Sequence, residues 1–156
     1  LRLMASQIEA RHTERRFNLI GTDDRFRQSA YHVLADLVGN LPPTKVLMFC
    51  NSSRIAEALY QCLRSNGVVA GIITGKDSKK AKEAELHRFI SGDMEVLVGT
   101  ASIATGTDGI DKVSDLLILV DDTDDESLRR QIIGRILPRG ADTDASKKVI
   151  YRLTFI

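Results

Sequence analysis

Residues 46–54 read VLMFCNSSR, and this stretch decides the fold class. Residues 46–49 form a short unbroken apolar run, which is typical of the buried strands of parallel sheets. A helical pattern follows over residues 53–65, with its apolar residues on one face, and Asn66 and Gly67 close it. A buried strand that leads directly into a helix predicts a βαβ unit.

The same alternation extends along the rest of the chain. The patterns predict three more helices and four more strands: helices over residues 23–39, 78–90 and about 124–137, and strands over residues 68–73, 95–98, 116–120 and 149–155. This order indicates the α/β class, with a mostly parallel sheet covered by helices on both faces. Ligands of such sheets bind beyond the carboxyl ends of the strands, so the functional residues are expected in the loops after each strand.

We predict that residues 1–22 are a linker or a helix from a missing upstream domain, with Arg11, Arg15 and Arg16 on the helix. Residues 23–156 are predicted to form the domain itself. The chain begins with Leu1 and not with Met, and we therefore expect a fragment of a longer protein.

Composition excludes several classes of function. The 156 residues are 43% hydrophobic and 28% charged, as in one soluble globular domain. Since 22 Lys and Arg face 21 Asp and Glu, bulk charge cannot drive nucleic-acid binding, although a local phosphate-binding edge remains possible. No run of 18 apolar residues occurs, so we predict no membrane partner.

The cysteines and histidines predict no metal site. Cys50 and Cys62 lie twelve residues apart without a zinc-binding spacing, and the three histidines are scattered. We expect two reduced, partly buried thiols and, from them, a cytoplasmic setting.

Two stretches carry side chains suited to a nucleotide. The loop over residues 99–111 is rich in small and hydroxyl residues, and its Asp108 suits a ribose hydroxyl or a cation. In the helix that follows, Gln131 and Arg135 are one turn apart, and Arg135 and Arg139 are fork-shaped donors suited to a phosphoryl group. A glycine inside a helix, such as Gly134, destabilises the helix by about 1 kcal/mol relative to Ala. We therefore expect another group to approach the helix backbone closely at this position. The alternatives are a tight connection without a ligand and a surface helix with ordinary arginines.

Two other loops suit a nucleic-acid backbone. Residues 51–54 open a helix with short polar side chains and free backbone N–H groups, and residues 74–82 place four lysines at a helix start. The alternatives are a plain helix cap and a solvated lysine face. The acidic run over residues 121–126 is predicted to be a solvated loop and helix cap that repels nucleic acid.

Together these stretches resemble the second RecA-like domain of the superfamily 2 helicases. Residues 46–53 resemble motif IV, residues 96–108 resemble motif V in the form T-G-x-D, and residues 131–140 resemble motif VI, usually written QxxGRxxRxG. Residues 73–75, with Phe89 and Gly92, resemble the stretch between motifs IV and V. The resemblance covers about residues 40–156, and motif V is most similar to that of phage and bacterial DNA repair or recombination helicases.

The resemblance implies an ATP-dependent helicase with a bipartite active site. An N-terminal RecA-like domain of the same parent chain would hold Mg²⁺ and most of ATP. This domain would add Gly106 and Asp108 near the sugar and γ-phosphate, and Arg135 and Arg139 as the arginine finger, positioned by Gln131. Nucleic acid, with DNA favoured over RNA, would meet six residues: Asn51, Ser52, Gly75, Lys76, Thr100 and Ser102.

The chain departs from the family pattern in two places. The second motif VI arginine is expected at residue 138, where Pro138 stands and is expected to end the helix early. Either Arg139 takes that place or Arg135 acts alone. No Walker A loop occurs and no Walker B box is identified, so this chain alone is expected to be inactive. The alternative function is a catalytically inert RecA-like domain that binds nucleic acid or serves as a scaffold, and Pro138 favours it.

Overall fold

A computed structural model describes residues 12–19, 24–42, 44–138 and 145–155. The strands are β1 (Thr13–Leu19), β2 (Lys45–Cys50), β3 (Ala70–Ile73), β4 (Val96–Gly99), β5 (Ser114–Asp121) and β6 (Val149–Phe155). The helices are α1 (Asp24–Asn40), α2 (Ser53–Ser65), α3 (Lys79–Ser91), α4 (Ile110–Val113) and α5 (Glu126–Gly134). A 3₁₀ helix, Ala101–Ala104, follows β4.

The six strands form one sheet in the order β1-β6-β5-β2-β4-β3, and every neighbouring pair is parallel. This confirms the predicted α/β class and sheet. Because all strands run the same way, their carboxyl ends and the loops that follow them lie at one edge. We call this edge the carboxyl edge.

Helices cover the sheet on both faces, and the core has two layers. Val46, Met48 and Cys50 of β2 pack with α1 and α2, whereas Leu47 and Phe49 pack with residues of α3, α4 and α5. These five side chains are fully buried. A central strand with both faces covered needs apolar residues at every position, which explains the unbroken run in the sequence.

The two cysteines are free, as predicted, and both are buried, which is more than the partial burial that was expected. Burial raises the pKa of both thiols, most strongly that of Cys50. Among the described residues, none of the helices is both long and apolar enough to cross a membrane.

The prediction of a helix through Arg15 and Arg16 is wrong. Both residues lie in β1, which pairs with β6 from Thr13 opposite Val149 onwards. Almost every residue of β1 is exposed, and β1 is an edge strand of the sheet. Such a strand shows no apolar alternation, so the sequence carries no strand signal there. Arg11 lies outside the described residues.

Candidate functional site

The motif V and motif VI stretches meet at the carboxyl edge through one ion pair. Nη1 of Arg135 donates to Oδ1 of Asp108 at 3.2 Å. The Arg135 side chain is 15% exposed and that of Asp108 is 77% exposed. Nε of Arg135 is buried and finds no hydrogen-bond partner among the residues that the structure describes. The arrangement therefore presents a guanidinium with unused donor capacity beside an accessible carboxylate.

Glycines shape the loop that carries Asp108. Gly106 has a φ of 67°, which belongs to the left-handed region that favours glycine. A Cβ at Gly99 would lie 2.3 Å from Cγ2 of Ile103, so the 3₁₀ helix can fold back over the end of β4 only if residue 99 lacks a side chain. Thr107 is buried, and its hydroxyl donates to the Ile103 carbonyl at 2.6 Å. The loop is thus closely packed at Gly99, Ile103 and Thr107.

Lys82 of α3 also holds this loop, and sequence reasoning missed this role. Its ammonium group donates to the backbone carbonyls of Ser102 and Thr105, the latter at 2.6 Å. Burial lowers the pKa of Lys82, and the positive charge of Arg135 lowers it further. The sequence did not predict this contact, because a lysine near the start of a helix can bind a phosphate as readily as a backbone carbonyl.

Helix α5 differs from its prediction. It ends at Gly134, so Arg135 is its C-cap and Pro138 lies beyond the helix. Gly134 occupies the last position, and no described atom lies within 4 Å of where its Cβ would be, so none of the described residues makes the expected close approach. Gln131 is exposed, and the structure records no hydrogen bond between its side chain and that of Arg135. Arg139 lies outside the described residues.

In the loop after β2, two of the N–H groups that were expected to be free for a phosphate are already paired within the chain. Asn51 N donates to the Asp121 carbonyl at 2.8 Å, and Ser52 N donates to Oδ2 of Asp121 at 3.0 Å. Burial raises the pKa of Asp121, and the two N–H groups lower it in part. What remains at the edge is the exposed residue Asn51 and the half-buried residue Ser52.

The other nucleic-acid candidates lie in the two loops beside it, after β3 and β4. Gly75 and Lys76 are exposed, and Lys76 faces Glu57 at 3.9 Å. Thr100 is buried, and its hydroxyl lies 3.3 Å from that of the half-buried residue Ser102. Since β2, β4 and β3 are neighbours in the sheet, the six predicted residues lie in three adjacent loops.

The acidic run after β5 is only partly a solvated loop. Asp125 caps α5, as predicted, by accepting from Leu128 N at 3.1 Å. Asp122, however, accepts from Arg129 at 3.2 Å and from Arg152 at 3.0 Å, and all three side chains are nearly buried. Arg152 also reaches Glu14 of β1 at 3.3 Å. We call Asp122, Arg129 and Arg152 the arginine clamp, which ties α5 to β5 and β6.

Among the described residues, no group of three His, Cys, Asp or Glu side chains is placed to hold a metal ion. The residues near Asp108 and Arg135 suit an anionic ligand better than a cation, since a buried guanidinium nitrogen without a partner is a donor.

Known proteins similar to this chain are helicases. The family described as the helicase conserved C-terminal domain matches residues 29–140. ATP-dependent RNA helicase RhlB of Shewanella denitrificans is 33% identical over 85 residues, which are 54% of this chain and 18% of the relative. Eukaryotic initiation factor 4A-III homolog B of rice, Oryza sativa subsp. japonica, is 32% identical over 105 residues, or 67% of this chain and 26% of the relative.

A solved structure shows the same fold. A DEAD box protein from the hyperthermophile Methanococcus jannaschii superposes with a TM-score of 0.73 at 22% identity, over 95% of this chain and 37% of that one. The chain thus spans only a minor part of the length of the relatives that it matches. The predicted preference for DNA and for DNA repair finds no support, because the RhlB relative is named an RNA helicase.

Proposed function

The chain belongs to the family of the helicase conserved C-terminal domain, and we propose that it is the C-terminal motor domain of an ATP-dependent superfamily 2 RNA helicase or translocase. The observation that carries the proposal is the Asp108–Arg135 ion pair at the carboxyl edge. It joins the motif V and motif VI stretches, which the family resemblance assigns to the nucleotide.

In this proposal, ATP binds between this domain and an N-terminal RecA-like domain of the same parent protein. That other domain would hold Mg²⁺ and most of the triphosphate, since this chain has no Walker A loop. Gly106 would let the backbone approach the nucleotide, and Asp108 would face the sugar. Arg135 would neutralise charge on the γ-phosphate, the main requirement of phosphoryl transfer. Arg139 and Gln131 keep their proposed supporting roles.

RNA is proposed as the nucleic acid because relatives named as RNA helicases resemble this chain. Its phosphates would follow the three adjacent loops after β2, β4 and β3. The proposed contacts are Asn51, Ser52, Gly75, Lys76, Thr100 and Ser102. Side chains would make most of these contacts, since Asp121 already accepts from the N–H groups of Asn51 and Ser52.

The inert-domain alternative loses part of its support. Pro138 favoured it by breaking the motif VI helix, but α5 ends at Gly134, before the proline. Arg135 is therefore presented by the helix end itself, and Pro138 does not disturb the helix that carries it.

The test is ATP hydrolysis by the full-length protein with no nucleic acid, with single-stranded RNA and with single-stranded DNA of the same sequence. We expect stimulation by RNA above that by DNA. Stimulation by DNA but not by RNA would show that the protein is a DNA motor and not an RNA motor. No ATP hydrolysis under any of the three conditions would favour the inert-domain alternative.

A further inference from the structure

Lys82 is placed between the two proposed binding surfaces. It lies in the first turn of α3, which begins directly after the 74–77 loop proposed to meet RNA. Its side chain is half-buried and reaches across to the residues that follow β4. It is therefore not available as a solvated phosphate ligand in the way that the exposed Lys76 is.

The ammonium group of Lys82 provides hydrogen-bond donors for the carbonyl groups at the end of the 3₁₀ helix. The carbonyls of Ser102 and Thr105 accept from Lys82, and these carbonyls lie where a short helix leaves its acceptors without partners. Gly106 follows at once, and a Cβ there would lie 3.9 Å from the Lys82 Nζ. The chain thus turns around the ammonium group just before it reaches Asp108.

The contacts continue to the nucleotide side. Asp108 is three residues beyond Thr105 and pairs with Arg135 at 3.2 Å. The positive charge of Arg135 also lowers the pKa of Lys82, after burial, which is the larger cause. A single connected path therefore runs from α3 through Lys82 and the Thr105 carbonyl to Asp108 and Arg135.

We propose that Lys82 is a positioning residue that holds the segment 105–108 in place, and thereby couples RNA bound at the 74–77 loop to the nucleotide residues Asp108 and Arg135. The coupling part rests on the proposed function, whereas the positioning part rests only on the contacts within this chain. A lysine that merely stabilised the fold would change the global free energy of unfolding without a change in mobility confined to this segment.

The first experiment measures the positioning in the 156-residue chain alone. Amide order parameters from ¹⁵N relaxation are compared among wild type, Lys82→Met and Lys82→Arg. We expect values of about 0.85 for residues 105–108 in wild type, below about 0.6 in Lys82→Met, and a return towards wild type in Lys82→Arg. The control is Lys147→Met, which removes an exposed lysine before β6, at the opposite edge of the sheet. Equal order parameters in Lys82→Met and Lys147→Met overturn the proposal.

The second experiment measures coupling in the full-length protein. We expect Lys82→Met to lower the RNA-stimulated kcat about tenfold, because the reacting groups are misplaced, while the apparent Kd for RNA changes less than about twofold. Lys82→Arg should recover most of the stimulation. A loss of RNA affinity with kcat unchanged would make Lys82 a phosphate ligand and would overturn the proposal.

The two experiments separate the possible failures. If the wild-type full-length protein shows no RNA-stimulated hydrolysis, the proposed function fails, and the order parameters alone decide the positioning role. If Lys82→Met does not fold, as judged by circular dichroism, Lys82→Gln replaces it in both measurements, since it keeps a donor too short to reach both carbonyls.

Discussion

At the ends of β2 and β3 several polar side chains are exposed and weakly paired, whereas beyond β5 the side chains of Asp122, Arg129 and Arg152 are nearly buried and held by ion pairs. Lys76 and Glu57, 3.9 Å apart with 78% and 54% of their side chains exposed, represent the first region. The arginine clamp, with Arg129 10% exposed, represents the second. The two halves of one edge thus use charge in different ways.

This difference matches the two proposed tasks. A phosphate backbone is bound by many contacts of modest strength, and exposed side chains can adapt to it. Phosphoryl transfer instead requires groups held at fixed positions before the substrate arrives. We therefore expect substitutions in the ion-paired half to have large effects and substitutions in the exposed half to have small ones.

The largest effect is expected for Arg135→Ala in the full-length protein. Loss of an arginine finger should lower RNA-stimulated ATP hydrolysis at least about 1000-fold, with RNA affinity retained. Steady-state ATPase and fluorescence anisotropy with labelled RNA measure the two quantities. The matched control is Arg130→Ala, an exposed arginine on the same helix. Similar turnover in the two variants would contradict the assigned role of Arg135.

The next effect is on stability, through the arginine clamp. Asp122→Ala leaves Arg129 and Arg152 nearly buried without their shared carboxylate. Glu126 and the Thr123 carbonyl still accept from Arg129, and Glu14 still accepts from Arg152. The free energy of unfolding should therefore fall by about 1–3 kcal/mol, which urea denaturation of the 156-residue chain measures. Asp124→Ala, at an exposed neighbour, should change it by less than about 0.5 kcal/mol. A loss equal to that of Asp124→Ala would mean that the clamp is not structural.

A smaller effect is expected in the exposed half. Lys76→Ala should weaken RNA binding by the full-length protein and lower the slope of log affinity against log salt by about 0.7, as for one single-strand phosphate contact. Binding isotherms at several salt concentrations measure it, with Lys147→Ala as the charge-matched control. An unchanged slope would remove Lys76 from the RNA surface.

The smallest effect is the pH dependence that Asp121 contributes. Burial raises the pKa of Asp121 in the folded chain, so the folded state binds a proton more tightly than the unfolded state. Stability should therefore fall as pH rises from about 4 through the folded pKa. The difference between wild type and Asp121→Asn in urea midpoints, measured from pH about 4 to about 6.5, isolates this contribution. If the urea midpoint of wild type instead rose relative to that of Asp121→Asn as the pH increased, this prediction would be contradicted.

Local patterns predicted most of the fold. Helix α2 and strand β6 have the predicted bounds, because each combines a strong apolar pattern with clear ends. Strand β1 was missed because its residues are stabilised by pairing with β6, more than 130 positions away, and not by an apolar face of their own. A single-sequence pattern carries no record of such a pairing.

The proximity of two candidate site residues was also predictable. The family resemblance brought Asp108 and Arg135 to the same place, and the structure adds the contact between them. It also shows what motif reasoning overlooked. Lys82 acts on backbone carbonyls 20 and 23 positions away, and Asp122 joins arginines 7 and 30 positions away. The partners of Lys82 and of Asp122 could not be inferred from the spacing of residues in the sequence.

We propose above all that this chain supplies half of an ATP site. The most direct measurement is equilibrium binding of a hydrolysis-resistant, fluorescent ATP analogue, made side by side on the 156-residue chain and on the full-length protein with saturating RNA. We predict tight binding by the full-length protein, weakened by Arg135→Ala, and no saturable binding by the chain alone. Equally tight binding by the chain alone would contradict the claim.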